Sequence, residues 1–334
     1  MRHVITLKRT PKMWIWLLSI LVTLFSIISI GVGAIYISPI KVIAALTGMG
    51  AEEHLFIISN YRLPRIAVAL LVGSGLAISG TILQGTIRNP LASPDVIGIT
   101  KGAGLAAVIV IILFPSSPTI VLPIAAFIGA ALVAVALYLF SYKRGIRPAT
   151  LALVGIALGA VCNAGIQYLM IKFPLDANAA LVWLTGSLWG RGWDEVAGIL
   201  PLVLILIPVT FIFAIKLDIL NLGDDVAEGL GEHVNRSRVL MLILAVALAG
   251  VCVAIVGSIG FVGLIAPHIA RQLVGAKHSY LLPISALIGI LLVLLADGLG
   301  RGLIPPIEIP AGIFTAVIGA PYFLYLLRRE SKVK

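Results

Sequence analysis

Acidic side chains are scarce in this sequence, with 14 Asp and Glu among 334 residues, and all charged residues together make up only 11%. Soluble domains carry about 25% charged residues. A chain that is 60% hydrophobic, with a mean hydropathy of +1.13, cannot cover a water-facing surface with polar groups. A soluble enzyme is therefore excluded, and the bilayer is the expected solvent. Cysteine is limited to Cys162 and Cys252, both inside apolar runs, which points to buried thiols and not to a disulfide framework. No His-x-x-x-His pair occurs, and His54, His233, His268 and His278 fall in separate loops or helix ends, so neither a metal site nor a resident cofactor is expected. No nucleophile sits beside a base, and no catalytic residue is assigned. The chain also lacks a Gly-x-x-x-x-Gly-Lys-Ser/Thr loop, so any ATP must be bound by another polypeptide. Low-complexity tracts, a strong repeat and a separate soluble domain are missing as well.

Long apolar runs are abundant. Ten can be read, at 13–35, 64–85, 95–114, 119–141, 149–171, 195–216, 238–256, 258–271, 280–298 and 308–327. A helix needs about 20 residues to cross the hydrocarbon core, and the runs are continuous rather than alternating, which speaks against a barrel. The expected fold is an all-α polytopic bundle of about ten spans, the eighth too short to span comfortably. The first run follows a basic stretch but has no small-residue cleavage site, so it is read as an uncleaved span. The expected organisation is an N-terminal tail at 1–12, a transmembrane region at 13–327 and a basic tail at 328–334.

Net charge is +10, from 24 Lys and Arg against 14 acids. These basic residues lie between apolar runs, so topology accounts for them and nucleic acid is excluded as a partner. With ten crossings, 18 fall on the side of the termini and 6 on the other: Lys41, Arg62, Arg65, Lys172, Arg191 and Arg301. The positive-inside rule then places both termini in the cytoplasm. Arg62, Arg65 and Arg301 stand where positive charge is otherwise depleted. They could be snorkelling anchors or a docking surface for an acidic partner outside.

Two loops stand out. Residues 180–193 contain Trp183, Trp189 and Trp193, which predicts a short interfacial helix. Residues 217–237 form the longest cytoplasmic loop and the most polar stretch. Asp224 and Asp225 there suit the start of a short helix over 226–230, broken by Gly229 and Gly231. Within spans, Asn163 and Gln167 share a helix face, and could line a water-filled path or bond a neighbouring helix. Asp297 sits near an outer end, either paired or wetted. Gly98 with Gly102 and Gly155 with Gly159 have the four-residue spacing that lets helices approach closely.

Several segments occur in a telling order: Arg62-Leu-Pro-Arg65, Gly73-Ser-Gly75, Ser79-Gly80, Gln84, Arg88-Asn-Pro-Leu-Ala92, Pro94 and Gly98. Further on come Gly260-Phe-Val-Gly-Leu-Ile-Ala-Pro-His-Ile-Ala-Arg271, Ala296-Asp297, Glu308-Ile-Pro-Ala-Gly312 and Gly319-Ala-Pro-Tyr-Phe323. The series, spanning residues 62–327, resembles the FecCD family of ABC-transporter permeases, which import iron–siderophore complexes, haem and cobalamin. The resemblance implies ten helices, a paired permease subunit, two cytoplasmic ATPase subunits and an extracytoplasmic substrate-binding protein, in a bacterial plasma membrane. It assigns Arg62, Arg65 and Arg301 to docking of that binding protein. The segment containing Asp225, Ala227, Glu228, Gly229, Leu230 and Gly231 corresponds to the ATPase-coupling helix. Asn163 and Gln167 fall on a pathway-lining helix, with Thr150 near the inner gate. An iron(III)–siderophore cargo moved by alternating access is the implied function, with haem or cobalamin as alternatives. An ion-coupled secondary transporter would need paired buried acids or discontinuous helices at mid-membrane, and of these only the short eighth run is suggestive.

Overall fold

A computed structural model describes residues 10–142 and 148–330, and these form α-helices joined by turns, with no strand among them. The basic residues expected at 1–9, at 143–147 and at 331–334 lie outside the described residues. In chain order the helices are α1 Pro11–Gly31, α2 Pro39–Leu46, α3 Glu52–Ile57, α4 Leu63–Ile87, α5 Ile99–Leu113, α6 Val121–Tyr142, α7 Pro148–Lys172 and α8 Ala177–Leu184. They continue as α9 Trp193–Ile212, α10 Ala214–Asn221, α11 Asp224–Gly229, α12 Val234–Val256, α13 Val262–Val274, α14 His278–Gly302 and α15 Ala311–Glu330. A π-helical turn, Ile58–Arg62, joins α3 to α4.

Among the described residues, seven helical segments are long and apolar enough to cross a membrane: Pro11–Gly31, Glu52–Ile87, Val121–Ser141, Pro148–Lys172, Trp193–Ile212, Val234–Val256 and His278–Gly302. Of the three other runs, two form the shorter apolar helices Ile99–Leu113, which is α5, and Ala311–Tyr325, within α15, and the third forms α13. Local signals set many ends. Pro occupies the first turn of α1, α2 and α4, where its missing N–H costs nothing. Glu195 accepts the Gly192 N–H at 2.8 Å to start α9. Arg88 takes a left-handed conformation, φ 53°, to close α4.

Burial divides the helices into two groups. In α4 every residue from Val72 to Ile87 is buried, and the helix is enclosed by α9, α12, α13 and α14. By contrast α1, α6, α7 and α9 show broad apolar faces: only 17% of the central window of α1 is buried, against 83% for the segment containing α4. Such faces suit contact with lipid or with another subunit.

Close helix approach depends on glycine. A methyl group on Gly80 would sit 1.8 Å from the Gly263 carbonyl oxygen, so α4 and α13 touch backbone to backbone there. The two four-residue glycine pairs also meet each other. A Cβ on Gly98 would lie 2.9 Å from both the Gly155 oxygen and the Gly159 nitrogen. The motif serves packing within the chain.

The short lengths of α5 and α13 have a common cause. At 1.5 Å per residue they reach about 22 and 20 Å, less than the hydrocarbon core. The irregular leads before them, residues 88–98 and 257–261, lie together inside the bundle. A methyl on Gly263 would stand 3.1 Å from Pro94 Cδ, and one on Gly260 would stand 3.4 Å from the Asp95 carboxylate. Non-helical backbone is tolerated at membrane depth where protein covers it. The sequence runs starting at 95 and 258 are thus corrected to helices beginning at Ile99 and Val262. The run expected at 195–216 also divides, with α9 ending at Ile212 and α10 starting at Ala214.

Candidate functional site

Polar side chains gather at both ends of the bundle. At the first end, α1 stops at Gly31 and leaves its last carbonyls without helical partners. Two arginines fill that gap. Arg301, on the last turn of α14, donates to Ser29 O at 2.9 Å, Ser29 Oγ at 2.7 Å and Val32 O at 3.0 Å. Arg62 donates to the carbonyls of Ile30 and Ile35. A cation at a helix C-terminus also complements the helix dipole.

Arg65 completes this cluster. Its Nε and Nη2 donate to Asp297 Oδ1 at 3.0 and 2.7 Å, and its Nη1 donates to Glu308 Oε2 at 2.8 Å. The second Asp297 oxygen lies 3.0 Å from Arg301 Nη2. Asp297 is 1% exposed, Arg301 4% and Arg65 11%, while Glu308 reaches the surface at 29%. The sequence-assigned docking arginines, Arg62, Arg65 and Arg301, are thus brought together, but each is largely buried and held by intrachain partners. Three guanidinium groups face two carboxylates, leaving the cluster one positive charge in excess. Sequence reasoning missed Glu308 and the bridging role of Asp297. The signal was there in the spacing of Asp297 and Arg301, four residues apart on one helix face.

At the opposite end, α10 and α11 form the polar loop. Asp218 of α10 accepts from both the backbone N–H and Nδ1 of His278, at 2.9 and 2.6 Å, and so caps the start of α14 from another helix. Asp224 accepts from Arg238 Nη2 at 2.6 Å and Arg88 Nη2 at 2.9 Å. The hydrogen bond from Arg238, aided by both positive charges, holds the Asp224 carboxyl below the usual carboxylate range. Glu232 pairs with Lys216 at 2.6 Å and also accepts from Ser237. These bonds, that of Lys216 first, lower its pKa too. Of the residues assigned to coupling, Ala227 is buried, whereas Asp225, Glu228, Gly229, Leu230 and Gly231 are exposed. Val226 and Leu230 leave an apolar tip on this charged loop, 51% and 62% exposed.

The assigned pathway residues lie on α7, whose central window is only 22% buried. Thr150 and Asn163 are half-buried and Gln167 is exposed. The two cysteines are free and buried. Among the described residues, no group of three or more His, Cys, Asp or Glu side chains is placed to hold a metal ion.

A model described as the FecCD transport family matches residues 20–329. The chain belongs to that family. This FecCD protein is 60% identical, over 97% of both chains, to the Fe(3+)-citrate import system permease protein YfmE of Bacillus subtilis. It is 36% identical, over the full length of both, to YfmD, a second permease protein of the Fe(3+)-citrate import system in the same organism. Among solved structures, an inward-facing metal-chelate type ABC transporter matches with a TM-score of 0.84 and 32% identity, covering 96% of this FecCD chain and 99% of the other. The protein is accordingly a multi-pass membrane protein with the ABC-transporter permease fold.

Proposed function

We propose that the chain is one permease subunit of a binding-protein-dependent ABC importer that carries an iron(III)–siderophore or iron(III)–citrate chelate across a bacterial plasma membrane. The observation that carries this reading is the end-to-end identity of 60% with an Fe(3+)-citrate import permease. Ten spans place both termini in the cytoplasm, so the arginine cluster faces out and the α10–α11 loop faces in. A second permease subunit completes the pathway. YfmE and YfmD are different chains of one named import system, which favours a sister chain over a second copy.

Two cytoplasmic ATPase subunits supply the energy. The tip of α11, with Asp225, Glu228, Gly229, Leu230 and Gly231 exposed and Ala227 anchored, seats in an ATPase groove, with Val226 and Leu230 as its apolar contacts. An extracytoplasmic binding protein docks on the Arg62, Arg65 and Arg301 cluster. An incoming acidic side chain would compete with the partly exposed carboxylate of Glu308 for Arg65. Burial of the other two makes them the positive ground beneath that contact. Thr150, Asn163 and Gln167 line the path, and the spans alternate access around a weakly binding cavity.

The test is reconstitution with the sister permease, the ATPases and the binding protein in liposomes. Iron(III) citrate or an iron(III) siderophore should stimulate ATP hydrolysis and enter the vesicles only when the binding protein is present. Uptake should survive an uncoupler and stop when ATP is depleted. Uptake that follows an ion gradient without ATP would overturn the mechanism. Stimulation by haem or cobalamin alone would overturn the cargo.

A further inference from the structure

The end of the bundle bearing α10 and α11 contains a cavity of about 470 Å³ where the ends of α4, α10 and α13 converge. That volume falls within the usual range for small-molecule sites, roughly 300–1,000 Å³. Gln84 in its wall is buried and Arg271 half-buried, while Arg88, Asn221 and Gln272 are exposed. Arg271 Nη1 donates to Gln84 Oε1 at 3.1 Å, and the Gln84 amide donates in turn to Leu264 O at 3.2 Å. The glutamine oxygen is therefore held toward the guanidinium. It is a neutral acceptor, and among the described residues no carboxylate pairs with Arg271.

Two acids of α10 and α11 are already committed, and Asp225 and Glu228 are exposed and absent from the cavity wall. Asp218 is bound to His278, and Asp224 is shared between Arg88 and Arg238. Arg88 thus shares its carboxylate with Arg238, Arg271 has none among the described residues, and Arg88 and Arg271 both border the cavity. A guanidinium taken partly out of water without a counter-charge is costly, and an anion entering beside it removes that cost. Two planar forks facing one space suit the paired oxygens of a carboxylate or phosphate.

Position alone would also permit an anionic lipid headgroup. The residue types of the wall favour a polar ligand, since seven of its nine residues carry polar side chains. We propose that this cavity binds a small water-borne polyanion, a di- or tricarboxylate or a phosphate compound, between Arg271 and Arg88. Occupancy would tie the end of α4 to the ends of α10 and α13. The proposal stands independently of the importer reading.

The experiment uses the full-length protein in nanodiscs of zwitterionic lipid, titrated calorimetrically with citrate and with inorganic phosphate at constant ionic strength. Saturable binding of at least one anion is expected, with affinity falling about tenfold or more in Arg271→Gln, as the loss of a charged hydrogen bond implies. Asn221→Asp supplies a carboxylate at the cavity while keeping Arg271, and should also weaken binding. This second variant decides the matter if Arg271→Gln does not fold. Absence of saturable binding, or unchanged affinity in the variants that fold, would overturn the site. Repeating the titration in phosphatidylglycerol nanodiscs separates the sources: loss of citrate binding there would identify a lipid headgroup as the occupant and overturn a water-borne ligand.

Discussion

Arg65 on α4 and Asp297 on α14 are 232 residues apart in sequence, yet two nitrogens of the one guanidinium bond a single oxygen of the other side chain, at 2.7 and 3.0 Å. The other Asp297 oxygen faces Arg301 at 3.0 Å, so one buried carboxylate bridges two arginines from two helices. Taking charges out of water is expensive, and such a group is tolerated only when its partners are all in place. The pair fixes how α4 and α14 lie against each other at the end where α1 terminates.

Replacing Asp297 with Ala leaves Arg65 and Arg301 facing each other without the shared acid. Removing one partner of a buried pair costs about 3–5 kcal/mol, so Asp297→Ala should show a large loss of thermal stability in detergent or nanodiscs. Glu308→Gln, at a partly exposed position, should cost about 1 kcal/mol or less. Equal effects of the two substitutions would show that burial does not set the strength of this network.

The glycine contacts give a second contrast. Gly80→Ala must separate α4 from α13, because the new methyl would lie 1.8 Å from a backbone oxygen that no rotamer can move. Overpacking of this kind costs about 1–3 kcal/mol. Gly198 on α9 has nothing within 4 Å of the same added atom, so Gly198→Ala should be neutral or stabilise by up to about 1 kcal/mol. Melting temperatures of the two purified variants check both signs.

Much of this architecture could be read from the sequence, because hydropathy reports directly on the solvent. Each of the ten apolar runs contains a helix, α8 overlaps the start of the tryptophan loop, and Asp224 and Asp225 do begin a short helix. Hydropathy cannot tell an apolar helix from apolar coil covered by protein. That is why residues 95–98 and 258–261 were assigned to spans although they form the buried leads to α5 and α13. The segments α2 and α3 escaped notice because Pro39, Gly48 and Gly50 interrupt any long run there. Charge in the sequence speaks to sidedness and not to partners. The sequence marks Arg62 and Arg301 as unusual, but whether they point outward or fold back onto the carbonyls of α1 depends on where another helix stops. Charge reversal at either position is therefore expected to disturb folding itself, beyond any effect on a docked partner.

The acidic groups of the polar loop make its packing pH-dependent in a defined direction. Asp224 and Glu232 have carboxyls lowered below their ordinary values, chiefly by hydrogen bonds from Arg238 and Lys216 respectively. A carboxyl lowered on folding contributes stability that is fully present above its unfolded value, about 3.9 for Asp and 4.3 for Glu. That contribution disappears as pH falls through the lower folded values. Amide exchange in α11, corrected for intrinsic rates, should lose protection below about pH 4. Lys216→Met should abolish much of the Glu232 share and flatten that fall; an identical profile would show that the Lys216 bond does not set it.

The apolar tip of the same loop allows a test in which fold and coupling separate. Leu230 is 62% exposed and makes no contribution to the core of this chain, so Leu230→Asp should change stability by no more than about 0.5 kcal/mol, as surface substitutions do. If α11 is the element on which the ATPases press, that charge enters an interface without a partner, and desolvating it weakens the contact. The reconstituted complex should then keep binding-protein docking and basal ATP hydrolysis while losing most chelate-stimulated hydrolysis and uptake. Gly198→Ala, on α9 outside this loop and with open space around the added methyl, serves as the neutral comparison. A Leu230→Asp complex that transports at the wild-type rate would remove α11 from the coupling path and direct attention to other segments at the same end of the bundle.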